Sequence, residues 1–183
     1  MGERAYTRIT VGGKVPLKEF AACVEKEFGL DLADLDGDVD VEETALGKYF
    51  QHTDPEQNNG CFDDFEGWLI KNKISFDRHN DACSGAYGAS TRHFRPGEDF
   101  DGADLDAEVP TDDDGWPILR ADELRKRLKE AKSIEAKVRA VEIMLDVNCP
   151  EPSELPPIEF TGTVEEIQTF LAKSVEGTFK KTA

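Results

Sequence analysis

The chain has 183 residues, 38% hydrophobic and 33% charged, which is enough for one folded domain and too apolar for wholesale disorder. Its 39 Asp and Glu outnumber 22 Lys and Arg for a net charge of −17, a field that repels phosphate backbones and anionic membranes and attracts basic partners. The expectation is therefore no direct nucleic-acid binding and no membrane association, since no stretch approaches the roughly 20 apolar residues of a membrane span either.

Residues 6–11 alternate, with Thr7, Ile9 and Val11 on one side and Tyr6, Arg8 and Thr10 on the other, the pattern of a half-buried strand that Gly12 and Gly13 end. After Pro16, Leu17, Phe20, Ala21, Val24 and Phe28 form a helical stripe stopped by Gly29, with Cys23 as a small buried hydrophobe. Residues 31–43, DLADLDGDVDVEE, hold seven acids and no base and lead into TALGKYF, which reads as a helix start. A calcium loop needs oxygen ligands at positions 1, 3, 5 and 12 around a glycine at 6. With Gly37 at the sixth position, Asp34, Asp36 and Glu43 fall correctly but Leu32 stands first. Starting at Asp34 supplies Asp34, Asp36 and Asp38 but puts Val39 at the glycine position and Ala45 last, so neither register is complete. Residues 51–60 read as a polar connector.

Residues 61–96 are the densest source of aromatic anchors. They predict a short helix burying Phe62, Phe65 and Leu69, with Trp68 beside them, and then a hairpin in which Ile74, Phe76 and Arg78 alternate with Ser75, Asp77 and His79. If Phe94 stands opposite Phe76, then Thr91, His93 and Arg95 point outward, and Asp77, His79 and His93 share the outer face. Residues 97–115 carry nine acids and no Lys or Arg and read as a partly ordered loop or short hairpin, with Phe100, Leu105 and Val109 too sparse for a core. Two helices follow, divided near Ser133, with Leu124, Leu128 and Ala131 on one and Ile134, Val138, Val141 and Leu145 on the other. This segment is basic, and such a helix pair in an acidic protein docks on its own acidic loops or lies solvated. Residues 149–157 form a proline-rich linker. Residues 158–160 then predict a strand, Thr163 and Glu166 a capping box, and Val164, Ile167, Leu171 and Val175 a last helical stripe. That unit echoes the strand, glycine turn and helix of residues 9–29.

The expected fold is α+β: a small, mostly antiparallel sheet with packed amphipathic helices, a helical insertion and long acidic loops. Residues 1–119 form the α+β core, 120–148 a helical hairpin, and 149–183 a linker with a strand–helix unit that completes the same domain, the two echoing units flanking the central hairpin.

For chemistry, Cys23, Cys61, Cys83 and Cys149 form no CxxC pair, and a reducing cytoplasm is the expected compartment. No Walker loop, GxGxxG, GxSxG or HExxH is present, so no cofactor and no enzyme activity are expected. Asp77, His79, Asp81, Cys83 and His93 make the strongest catalytic or zinc constellation, but H-x3-C-x9-H fits no common zinc scaffold. The favoured expectation is an acidic protein-binding protein. Its concrete mechanism is nucleic-acid mimicry of the anti-restriction or anti-CRISPR type, in which carboxylates occupy the Arg and Lys forks of a nucleic-acid-binding partner. The partner-binding residues are then Asp99, Asp101, Asp104, Asp106, Asp112, Asp113 and Asp114, with Asp34, Asp36, Asp38 and Asp40 as a second patch. The alternatives are a calcium- or zinc-binding module, or an enzyme using the Asp77/His79/His93 face.

Overall fold

Strand β1 (Arg4–Pro16) organises the molecule because it pairs along both edges. A computed structural model describes residues 4–35, 45–83, 87–98, 102–112, 116–148 and 152–181. One edge of β1 runs antiparallel to β3 (Phe50–Asn58), which is bordered by the short β2 (Ala45–Leu46). The other runs antiparallel to β4 (Ser75–Asn80), followed by β5 (Ser90–Arg95) and β6 (Leu105–Pro110). The order is β2-β3-β1-β4-β5-β6, and β7 (Ile158–Thr161) joins in parallel to residues 13–16 of β1. The helices are α1 (Leu17–Phe28), α2 (Asp63–Lys71), α3 (Ala121–Glu130), α4 (Ile134–Asn148) and α5 (Val164–Lys181), with a 3-10 turn at Leu32–Asp34. The fold is thus α+β on a mostly antiparallel sheet.

Strand parity builds the core. Thr7, Ile9 and Val11 are all fully buried, as the alternation predicts. Val11 stands in register with Phe50 on β3 and Phe76 on β4, and Phe76 with Phe94 on β5, so one row across the sheet is almost wholly apolar. α1 and α2 lie over it. Phe20 of α1 meets Phe50 edge-on at 5.2 Å and Phe65 of α2 at 6.0 Å, while Val24 and Leu69 fill the same cluster. Gly29 ends α1 with φ of 68°, its N–H donating to Glu25 O at 2.8 Å. The capping box closes reciprocally at α5: Thr163 N donates to Glu166 Oε2 at 2.8 Å and Glu166 N to Thr163 Oγ1 at 3.2 Å.

Several segments fold otherwise than their local pattern predicts. Gly12 and Gly13 do not end β1, which runs on to Pro16. A Cβ at Gly12 would sit 2.0 Å from the Pro156 carbonyl oxygen, so glycine here admits residues 152–157, which strap across the outer face with Leu155 buried. Residues 45–50 form β2, a turn and the start of β3 rather than a helix, and the supposed connector after them is β3 itself. Pro55 is tolerated there because, among the described residues, β2 covers β3 only at Phe50 and Gln51, leaving the rest as an edge. Within the acidic stretch, read as a loop or short hairpin, residues 105–110 are strand β6, paired antiparallel with β5. The two echoing units do not flank the hairpin: β7 pairs directly with β1. On α5 the inward residues are Ile167 and Phe170, whereas Val164 and Leu171 are 72% and 55% exposed.

Candidate functional site

Three polar assemblies grow out of this frame. The first lies on the helix-covered face, one step along the strands from the apolar row. His52, Ile9, Arg78, Arg92 and Glu108 stand in register across β3, β1, β4, β5 and β6, and α2 lowers Glu66 onto them. Glu66 Oε1 accepts from Phe62 N at 2.9 Å, capping the start of α2, and faces Arg78 Nε at 3.4 Å; Oε2 accepts from Arg92 Nη1 at 2.9 Å. Arg78 donates through Nη1 to Gly60 O and to Asn80 Oδ1 at 3.2 Å, and through Nη2 to Glu108 Oε1 at 2.7 Å. Arg92 forks onto Asp106 with two bonds of 2.8 Å. Burial pushes the Glu108 carboxyl up, but hydrogen bonds from Ser90 and Arg78 outweigh it and leave it below its ordinary value. With both arginines ion-paired, this network is occupied by its own members and serves the fold.

The second assembly is on the outer face, where the predicted register holds. Asp77 opposes His93, and their Oδ1 and Nδ1 are 2.7 Å apart; His79 Nδ1 lies 3.2 Å from Thr91 Oγ1. Arg95 is buried under the strap, donating to Ser153 O at 3.1 Å and to Asp77 Oδ2 at 3.0 Å. Burial raises the Asp77 carboxyl, and the hydrogen bonds from His93 and Arg95 more than reverse that, so Asp77 is held below the usual carboxylate range. His79 Nε2 is also 3.4 Å from Asp81 Oδ1. Among the described residues no group of three or more His, Cys, Asp and Glu converges on a position for a metal ion, and Cys83 instead pairs its backbone with Tyr87.

The third is a cavity of about 560 Å³ between the end of α1, the edge of β3 and the start of α2. Its floor is aromatic. Phe28 stacks on His52 at 3.9 Å between ring centres, and Phe62 stands edge-on to Phe28 at 5.6 Å. Its walls carry Glu27, Asp54, Asp63 and Asp64, and no Lys or Arg lines it among the described residues. Burial pulls the His52 imidazole down to about 4, against a smaller opposing effect of Asp54, so the ring is neutral at pH 7. Burial and a hydrogen bond with Asp63 push the Cys61 thiol up to about 11, so it stays protonated. A neutral imidazole and a protonated thiol beside four carboxylates suit binding of a cation better than nucleophilic chemistry. Lys26 reaches Glu27 at 2.7 Å and Asp64 at 3.9 Å from outside; the Lys26–Asp64 pair is exposed on both sides and exchangeable, while Glu27 is half-buried.

Of the acids singled out in the sequence, Asp36, Asp38, Asp40, Asp99, Asp101, Asp113 and Asp114 lie outside the described residues. Asp34 sits in the 3-10 turn. Asp104 is ion-paired with Lys73, which holds its carboxyl below the ordinary range, and Asp106 is clamped by Arg92. Asp112 Oδ1 accepts from Trp116 N at 2.8 Å and closes the loop there. Asp104, Asp106 and Asp112 thus have structural partners, while the acidic cavity is not legible along the chain because its carboxylates come from three separated elements. Its one local signal was Asp63–Asp64 opening a helix just after His52. No protein-family model matches the chain, and no curated protein or solved structure is detectably similar to it.

Proposed function

We propose that this is an acidic binding protein rather than a catalyst, which takes a basic surface of another protein and does so in the manner of a nucleic-acid mimic. The carrying observation is the aromatic-floored cavity walled by Glu27, Asp54, Asp63 and Asp64. Carboxylates around an aromatic floor suit an arginine or lysine side chain, by ion pairing at the rim and cation–π contact at the base. Charge distribution supports the same reading. Residues 120–148 hold eight Lys and Arg against six Asp and Glu, so the remainder of the chain carries −19. Such a body steers cationic surfaces from about a Debye length away, roughly 8 Å at physiological salt. The cavity serves as the anchor, and acids elsewhere on the chain act through this field. Among the described residues no helix is long and apolar enough to cross a membrane, and the cytoplasm is the compartment in which such a target is met.

The test is capture from cell lysate with the purified chain, at low and high salt and with duplex DNA as competitor. Alongside it runs the variant Asp54→Asn/Asp63→Asn/Asp64→Asn, with its melting curve recorded. The expected result is a nucleic-acid-binding protein that salt and DNA displace and that the folded triple variant no longer retains. Equal retention by that variant would move the site away from the cavity; a salt-resistant partner indifferent to DNA would end the mimic reading.

A further inference from the structure

Helix α4 carries an apolar seam, three of whose four residues the described residues of the chain leave exposed. Ile134, Val138 and Leu145 are 77%, 51% and 43% exposed, and with the half-buried Val141 they recur at steps of four, three and four residues. That is the d, a, d, a order of two heptads, so the four side chains lie along one line of the helix. α3 packs against α4, and Met144, at the g position one heptad after Lys137, is buried to 1% exposure, while Lys137 itself stays exposed. The orientation of α4 is thereby fixed, and the seam faces out. Charges flank it in order: Glu135 and Glu142 stand at the e positions on one side and Lys137 at g on the other, all exposed. None of the three takes part in an ion pair within the chain among the described residues.

We propose that this seam is a self-association surface, on which a second copy of the chain lays its own α4 in parallel. The flanking charges decide both occupant and direction. In a parallel pair a g side chain meets the e side chain of the partner's following heptad. Lys137 of each copy therefore faces Glu142 of the other, and two-fold symmetry makes the contact twice. An antiparallel pair would set the glutamate flanks against each other. The seam also lies in the segment 120–148, whose eight bases against six acids oppose the −17 of the whole. Two bodies of that charge repel, so salt strengthens this association, whereas salt weakens the binding of a basic partner. Because α3 stays packed on α4, each copy brings a helical hairpin and the pair forms a four-helix arrangement.

Sedimentation equilibrium of the full chain at low and high salt tests it. The expected result is a species of twice the 20.3 kDa chain mass, more populated at high salt. Val138→Asp should return it to monomer with unchanged helical circular dichroism. Lys137→Glu should weaken the dimer by roughly threefold to tenfold, and Lys137→Glu/Glu142→Lys should restore it. Lys137 and Glu142 are exposed, so these charge reversals read the seam even if Val138→Asp disturbs α4. A monomer at every concentration, or a dimer indifferent to Lys137→Glu, overturns the proposal.

Discussion

Two adjacent rows of one sheet face, crossing the same strands two residues apart, are built of opposite materials. One row runs Phe50, Val11, Phe76 and Phe94; the next runs His52, Ile9, Arg78, Arg92 and Glu108. α2 covers both, with Phe65 over the first and Glu66, the next residue in sequence, over the second. The apolar row is held by area removed from water and by ring contacts, which are tolerant of direction. The ionic row is held by paired charges whose donors and acceptors must meet in one register, since a buried charge that misses its partner is costly. The contrast teaches that the first row supplies stability and the second supplies register.

The rows are separable by substitution. Phe20→Ala, which removes the ring shared by Phe50, Phe65, Trp68 and Phe160, should cost about 3–5 kcal/mol in urea unfolding. Glu66→Leu, which leaves Arg78 buried without its α2 carboxylate, should cost about 3 kcal/mol. Adding Arg78→Met to that variant should recover most of the loss, leaving about 1 kcal/mol. A double variant as unstable as the sum of its parts would show the ionic row to be a source of net stability and erase the distinction. On the other side of the sheet, Gly12→Ala must shift the strap from the back of the apolar row, because its Cβ would meet the Pro156 carbonyl oxygen at 2.0 Å; about 2 kcal/mol is expected, read by thermal melting.

His52 sits in the ionic row yet stacks with the aromatics, and pH tells which it obeys. Its imidazole is pulled down from 6.5 to about 4 in the folded protein. Between those values the unfolded chain binds a proton that the folded chain refuses, so stability falls as pH drops from 6.5 towards 4 and is flat above 6.5. Partial solvent access at His52 reduces the effect, and about 1–2 kcal/mol is expected between pH 7 and pH 5. His52→Phe should flatten that interval in denaturant titrations at the two pH values; an unchanged slope would assign it to other groups.

Much of this frame was legible by parity alone. Placing Phe94 opposite Phe76 sets Asp77 against His93, and Gly29 and Thr163/Glu166 announce the ends of α1 and α5. The same parity puts Arg78 on the core side with Phe76, and this is a signal in the sequence: two arginines on a buried face require carboxylates, which β6 and α2 supply. β6 was hidden because Asp106 and Glu108 read as solvated when they are cross-strand partners of arginines. β3 was hidden by Pro55 and its polar edge, since an exposed edge strand carries little of the alternation that marks a strand. The cavity was out of reach, because no sequence interval relates Glu27, Asp54 and Asp63; only the pairing of β3 with β1 and the packing of α1 and α2 over them does.

The parallel pairing of β7 with residues 13–16 of β1 joins one of the first strands to one of the last. During synthesis β1 can recruit β3 and then β4 while the rest of the chain is still on the ribosome, but its final residues keep a bare edge until residues 158–161 emerge. Closing that loop sets the contact order of the domain and makes it a slow step relative to the local helices. The strap and α5 arrive with β7, so until then the nascent protein has the floor under Gly12 missing and one side of Phe20 open to Phe160's future place. A chain this acidic is protected in that interval, because like-charged nascent copies repel one another before their edges can meet.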